Sequence, residues 1–428
     1  MNSPSLWKSS AFRRVGFALA FYSFCSWMLV AALPLLVAQR FGTGAELVGS
    51  LALRLAPRIL FAPVAAGLIR RAGPHTAVGT GLIVTALCLV VVTAVEHAGT
   101  LQIIVLIIGL ADTVVVPGLL ALRAAVVPAG RNMEANTAFQ TIDRLAKIFG
   151  PPAAGLVLTI ASPALAFPAL AIGHLLAAIA LGWGNVAAGQ KRLAPDPAHT
   201  TGLFRVAAAT LRENPILLAL VLPALGYMIS LGALQPFLFW LNHDQFGLGP
   251  SMWTVLLAAQ GAGAVLGALV SSHLARTLIG TPSLLTAYLV ASLLEGVTTL
   301  ALVFAPSHAL AAAMLIVGGI PEMVAFAAYF TIIQQRLSLE RQAVFYALSL
   351  PLMDLFMVAG VLTGILHSAG WMTLQQFWFA ASAGAILPVL PFLVWRPRVK
   401  TTLEDLSPDA ESKIAEKSTT GGWRDGHR

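Results

Sequence analysis

Two carboxylates occupy places where an ionisable group is costly. Asp112 and Glu322 each fall near the middle of an apolar stretch long enough to cross a bilayer, in the matching settings Gly109-Leu-Ala-Asp112-Thr-Val and Gly319-Ile-Pro-Glu322-Met-Val. A charge-bearing side chain at membrane depth marks a substrate, ion or proton path. A pair at equivalent points of two half-sequences points to an alternating-access carrier built from repeats, with both acids as proton-coupling groups. The other embedded charges are unevenly shared. The N-terminal half has Arg54, Arg58, Asp143, Arg144 and Lys147 beside Asp112, whereas the C-terminal half has Glu295, Glu322 and Asp354 and no embedded Lys or Arg. One net positive wall facing one net negative wall suits an amphipathic compound with both charge types, or an anionic compound coupled to proton release. Asp143, Arg144 and Lys147 are spaced to pair along a single helix. Glu295 reads as a satisfied carboxyl at a helix contact, and His174 as a packing or hydrogen-bonding residue.

The elements that must position these groups follow from composition. The chain has 428 residues, 58% hydrophobic and 10% charged, with a mean hydropathy of +0.83. At about 20 apolar residues per crossing, that length holds about twelve spanning helices and no large soluble domain. Apolar runs between polar or Gly/Pro breaks place them near 15–38, 47–69, 76–95, 102–122, 135–160 and 163–186, then near 215–241, 251–273, 283–304, 310–333, 342–366 and 373–395. The expected organisation is a six-helix bundle over 1–189, a cytoplasmic linker over 190–214, a second bundle over 215–396 and a disordered cytoplasmic tail over 397–428. The amphipathic stretch from Leu203 to Leu211 reads as a short helix along the membrane surface. Gly155 and Gly364 repeat at nearly the interval that relates Asp112 to Glu322, so the expected fold is all-α, two pseudo-symmetric six-helix bundles around a central cavity.

The net charge of +8 reports topology and not nucleic-acid binding. Lys and Arg fall at the N-terminus, in the even-numbered connections and in the tail, while the odd-numbered connections carry Arg40 alone. That asymmetry places both termini in the cytoplasm of a multi-pass protein of the cytoplasmic (inner) membrane. The run from Val15 to Ala38 is too long for a signal peptide and lacks a clear cleavage site, so it reads as the first span. Cys25 and Cys88 both fall inside spans and imply no disulfide framework.

Several segments, spread over nearly the whole chain, carry a resemblance: Arg131-Asn-Met-Glu-Ala-Asn136-Thr-Ala-Phe-Gln140, running into Gly150-Pro151-Pro152-Ala-Ala-Gly155; Leu211-Arg-Glu-Asn-Pro215; and Glu340-Arg341-Gln-Ala-Val-Phe345. The chain resembles the major facilitator superfamily, and within it the drug-efflux group of macrolide and enterobactin exporters. Gly150, Pro151 and Gly155 are similar to the fifth-helix motif of proton-driven exporters, with Ala154 in place of one usual glycine. The loop after the second helix keeps Arg71 and Gly73 of the superfamily signature but has Arg70 where Asp is usual, a departure that puts the usual loop latch in doubt. The embedded fourth-helix Arg of many proton-linked relatives has no counterpart, since Arg123 lies near the helix end. The resemblance implies that helices 4 and 10 line the cavity, that helix 9 is peripheral, and that helices 2 and 11 are neighbours. An Arg58–Asp354 gate pair, formed in one access state and broken in the other, follows from the last of these. Arg54, Gln140, Tyr227, Gln235, Gln260 and Tyr329 are the expected substrate-binding groups.

Other chemistries are disfavoured. Gly261-Ala-Gly263-Ala-Val-Leu-Gly267 imitates a dinucleotide fingerprint but lies in an apolar span with no strand before it, so it reads as small-residue helix packing. There is no phosphate-binding Gly-x-x-x-x-Gly-Lys-Ser/Thr loop, and the outer-loop histidines lack ligand spacing. The expectation is a non-enzymatic carrier without cofactor or metal, a monomer whose partners are a small molecule, protons and lipid, exporting an amphipathic drug-like or siderophore-like compound. The alternatives are an importer or flippase for an anionic metabolite such as a siderophore or lysophospholipid and, in another class, a non-transporting scaffold or sensor.

Overall fold

The computed structural model describes residues 6–127, 131–160, 163–182, 215–274, 281–337 and 339–394. The expected linker, its surface helix and the tail lie outside them. Among the described residues there are thirteen α-helices. In the N-terminal half these are α1 (Ser10–Phe41), α2 (Ala45–Leu60), α3 (Ala62–Ala72), α4 (Pro74–Val92), α5 (Ala98–Ala125), α6 (Asn132–Ile160) and α7 (Pro163–Leu181). In the C-terminal half they are α8 (Pro215–Trp240), α9 (Trp253–Leu274), α10 (Thr281–Ala301), α11 (His308–Arg336), α12 (Leu339–Ser368) and α13 (Leu374–Ile386).

Ten spans are long and apolar enough to cross a membrane, and α2 with α3 forms an eleventh that is bent by 64°. The sequence expectation was one straight helix there. The break falls at Phe61, between Pro57 inside α2 and Pro63 at the start of α3. Pro63 has no N–H to continue the ladder, and its ring disfavours helical geometry in the residue before it. α6 stands where the sequence predicts a crossing over 135–160; its 29 residues suffice in length but include Asp143, Arg144 and Lys147.

Helix neighbours repeat between the halves. In the first, α1 packs on α6 and α7, α4 on α5 and α7, and α2 on α5; in the second, α8 packs on α12 and α13, α10 on α11 and α13, and α9 on α11. The halves meet through two equivalent contacts, α6 with α9 and α12 with α2. The Gly-x-x-acid repeat has a physical reason in this arrangement. A Cβ on Gly109 would sit 2.7 Å from the Arg54 carbonyl oxygen, and one on Gly319 would sit 2.7 Å from Gly263 Cα. Each glycine lets its helix touch the backbone of the partner helix, and the carboxylate follows about one turn later.

The apolar core shows which face is closed. One large cluster joins both halves at the end bearing the odd-numbered connections, with Leu36, Val37, Leu47 and Val48 of the first half beside Phe237, Trp240, Trp253 and Val361 of the second. The Trp240 indole donates to the Thr43 carbonyl at 2.9 Å across this seam. Towards the even-numbered connections the core divides into two separate clusters, one per half. Among the described residues the molecule is therefore sealed at one face and parted at the other.

Candidate functional site

Asp112 is buried and is not alone. Its Oδ2 lies 3.7 Å from Arg54 Nε and 4.0 Å from an Arg58 terminal nitrogen, and its Oδ1 accepts from the Tyr22 hydroxyl at 3.1 Å. Arg54 and Arg58 are one turn apart on α2, so both reach the same carboxylate from one face. These ion-pair distances exceed the 2.7–2.9 Å of a direct charge-assisted hydrogen bond, and Oδ2 has no hydrogen-bond donor. The Arg54 fork also donates to the Ser26 carbonyl and hydroxyl at 3.3 and 3.2 Å. The expectation of a solitary Asp112 is corrected by this cluster, to which Tyr22, a residue the sequence did not single out, also belongs.

Arg54, Arg58 and Tyr22 line a central cavity of about 450 Å³. Of its described lining residues Arg54, Arg58, Arg123 and Lys147 are cationic and Asp143 is acidic, and all five come from the N-terminal half. The C-terminal wall is neutral, with Gln235, Gln260, Leu231, Met357 and Val361. Oε1 of Gln235 is buried without a donor. Asp143 takes its hydrogen bond from Ser23 of α1 at 3.1 Å, and the Lys147 ammonium sits 5.5 Å from the Trp27 ring centroid. The expected pairing along α6 is thus replaced by bonds to α1, because α1 packs against the face on which these groups lie. Arg123 stacks over Phe139, 4.8 Å from its centroid.

Glu322 lies elsewhere. With Tyr227, Ser230, Gln260, Glu295 and Thr299 it lines a second chamber of about 20 Å³ inside the C-terminal half. Tyr227 is placed to hydrogen-bond Glu322, and the two glutamates are within electrostatic range of each other. Thr299 donates to Glu295 Oε1 at 2.9 Å. Glu295, read from the sequence as a satisfied carboxyl at a helix contact, accepts this bond and lines the chamber together with Glu322 of α11.

Other expected groups are dispersed. Asp354 lies on α12 in the field of Arg58, with no ion pair at 4.0 Å or less between them among the described residues. Tyr329 lines neither of these two spaces. It shares a helix stripe with Glu322 but stands seven residues, about 10 Å, further along α11, and is packed in the apolar core beside Tyr288 and Phe330. Tyr227 faces the small chamber and not the central cavity. The side chain of Gln140 lies outside the described residues. His174 is buried and hydrogen-bonded to the Leu170 carbonyl at 2.9 Å.

The sequence profile of the Major Facilitator Superfamily matches residues 15–359, most of the chain. The chain belongs to the major facilitator superfamily. It is accordingly a multi-pass membrane transporter. Solved structures of superfamily form agree in fold. The nucleoside transporter NupG is 16% identical, with a TM-score of 0.64 over 90% of this chain and 98% of its own. A bacterial homologue of the human lysosomal transporter Spinster, in an inward-facing and unoccupied conformation, is 14% identical, with a TM-score of 0.65 over 95% and 100%. A POT family transporter in complex with a thioalcohol-conjugated peptide is 12% identical, with a TM-score of 0.70 over 91% and 96%. No curated protein matches the chain.

Within the superfamily fold the motif residues have definite places. Gly150 abuts Trp27 and Met28 of α1, and Gly155 abuts Thr254 of α9 across the seam of the two halves. Pro151 lies between them inside α6. Arg71 is exposed, and Gly73, at φ +80°, makes the turn from α3 to α4.

Proposed function

We propose that the chain is a proton-coupled secondary transporter that exports a small amphipathic compound bearing an anionic group across the cytoplasmic membrane. The observation that carries this reading is the division of the central cavity: four cationic side chains on one wall, with neutral amides and apolar side chains opposite. An anion gains most against the arginine-rich wall, since guanidinium recognises carboxylate and phosphate by paired hydrogen bonds. The apolar body of the compound would rest against Leu231, Met357 and Val361. The parted face, which bears the Lys- and Arg-rich connections, is read as cytoplasmic, so the cavity is in its loading state for export. Asp112 and Glu322 are the proposed proton-coupling carboxylates. Arg58 holds Asp112 in this state and would turn to Asp354 in the other, which couples the gate to the proton.

Export is favoured by the resemblance of Gly150-Pro151 and Gly155 to the exporter motif, and by their position against α1 and α9 on the sealed side. A second reading, uptake or flipping of a dedicated anionic metabolite such as a siderophore or lysophospholipid, draws on the same cationic wall. Proteoliposomes with an imposed pH gradient and an internal pH dye separate the possibilities. Anionic amphiphiles should move protons against their own flux, cationic ones should not, and Glu322→Gln should abolish the signal. Proton and anion moving together in the same direction would establish the second reading. The absence of proton movement with every anionic amphiphile tried would refute the proposal and favour a non-transporting scaffold.

A further inference from the structure

The small chamber of the C-terminal half is separate from the Asp112 cluster and has its own chemistry. Glu295 from α10 and Glu322 from α11 line it together, and Ser230 from α8 contributes a hydroxyl on a residue only 1% exposed. The Ser230 Oγ has no hydrogen-bond partner. A buried hydroxyl without a partner normally signals a missing one. The void of about 20 Å³ is large enough for one water molecule, which needs roughly 10–15 Å³ and two to four polar neighbours.

The charges around the chamber decide what it can hold. Its lining brings Tyr227 from α8, neutral Gln260 from α9, Glu295 with Thr299 from α10 and Glu322 from α11, with no cation among the described residues. Among the described residues the other helices packed on these offer no cation to it either. α13 has no ionisable residue, and Asp354 of α12 lies in the field of Arg58. Tyr288 of α10 donates to the Leu220 carbonyl, Tyr329 of α11 lies in the apolar core, and His308 and Arg336 stand at the two ends of α11. Across the seam, Arg144 reaches the sulfur of Met323 at 3.7 Å, and Lys147 lines the central cavity; neither lines the small chamber. Two ionised carboxylates in one buried, cation-free chamber would repel each other and lose hydration together.

We propose that Glu295 and Glu322 form a carboxyl pair that shares one proton, with a water held by Ser230 between them, and that this pair is the ion-binding site of the C-terminal half. The proton is bound as O–H on one carboxyl, which donates to the water, and the water donates to the other carboxylate; the proton leaves to the central cavity past Gln260 and Leu231, which line both spaces. The pair then changes between charges of −1 and −2 beside the wall that faces the substrate. This inference deepens the proton-coupled reading, but its test needs no substrate.

Infrared difference spectroscopy of the purified protein in detergent, titrated from neutral to alkaline pH, reads the C=O stretch of a protonated carboxylic acid. Wild type should show this band at neutral pH and lose it on alkalinisation. Glu295→Gln and Glu322→Gln should each remove the paired-acid band, while Asp112→Asn should keep it. Should a Gln variant fail to fold, Ser230→Ala retains both carboxyls and should shift the band frequency. Absence of the band in wild type, its persistence in both Gln variants, or an unshifted band in Ser230→Ala would overturn the proposal. Loss of the band when sodium chloride replaces choline chloride at fixed pH would also overturn it, in favour of a sodium site. A pair that behaves as expected in a protein that moves no anion would leave this inference standing and defeat the transport reading alone.

Discussion

At the scale of single residues, Asp112 holds two guanidinium groups in place, and its removal tests how far the cluster is structural. Asp112→Asn leaves Arg54 and Arg58 facing each other without a counter-charge at a site where Asp112 and Arg54 are buried. Breaking one side of a buried ion pair costs about 3 kcal/mol or more, so the melting temperature in detergent should fall. Adding Arg58→Gln to Asp112→Asn should restore part of that loss, because it removes the like-charge partner, and a double-mutant cycle should show coupling of about 0.5–3 kcal/mol. Independent, additive losses would mean that the groups do not interact. Tyr22→Phe, which deletes the hydroxyl donated to Asp112, is expected to cost about 1–2 kcal/mol by the same measurement. The sequence singled out Asp112 and Glu322 as acids at matching points of the two half-sequences. It did not reveal that one is clamped and the other shares a chamber with Glu295, because partners on other helices are set by helix rotation, which spacing along one helix does not determine.

At the scale of elements, most helices were legible because twenty-residue apolar runs have few alternatives. The exceptions have local causes. Pro57 and Pro63 split the second crossing, and α6 turns its charged stretch to α1, the central cavity and the opposite half. The sequence offered Gly150-Pro151-Pro152-Ala-Ala-Gly155 only as a resemblance to an exporter motif, whereas the structure gives a reason for its last glycine at the seam between α6 and α9. A Cβ at position 155 would collide with the Thr254 side chain of the opposite half. Gly155→Ala should therefore wedge the sealed face at a cost of about 1–3 kcal/mol, the usual range for overpacking. In a variant with Cys25 and Cys88 replaced, a reporter Leu36→Cys, buried in wild type, should become several-fold more reactive to an impermeant thiol reagent applied from that face. Thr254→Ala in the same background should reverse the gain. Unchanged labelling would mean that the glycine serves only local helix packing.

At the scale of the whole molecule, the repeat of helix contacts makes the two halves near-rigid bodies that meet at α6 with α9 and at α2 with α12. Among the described residues apolar packing joins them at one face, so alternation requires that seal to open while the two separate cores of the other face come together. The seal offers a direct handle, since a Cβ on Gly364 would lie 3.2 Å from a Val48 methyl. In a background without native cysteines, Val48→Cys with Gly364→Cys should form a disulfide under mild oxidation that pins α2 to α12. A molecule so pinned keeps its cavity open on the other side, so an anionic amphiphile that stabilises the reduced protein should still raise the melting temperature of the oxidised one. Transport in proteoliposomes should stop on oxidation and return with reductant. Transport that continues with the bridge intact would show that this seam stays closed throughout the cycle, and the substrate would then need a path other than the parting of the two halves.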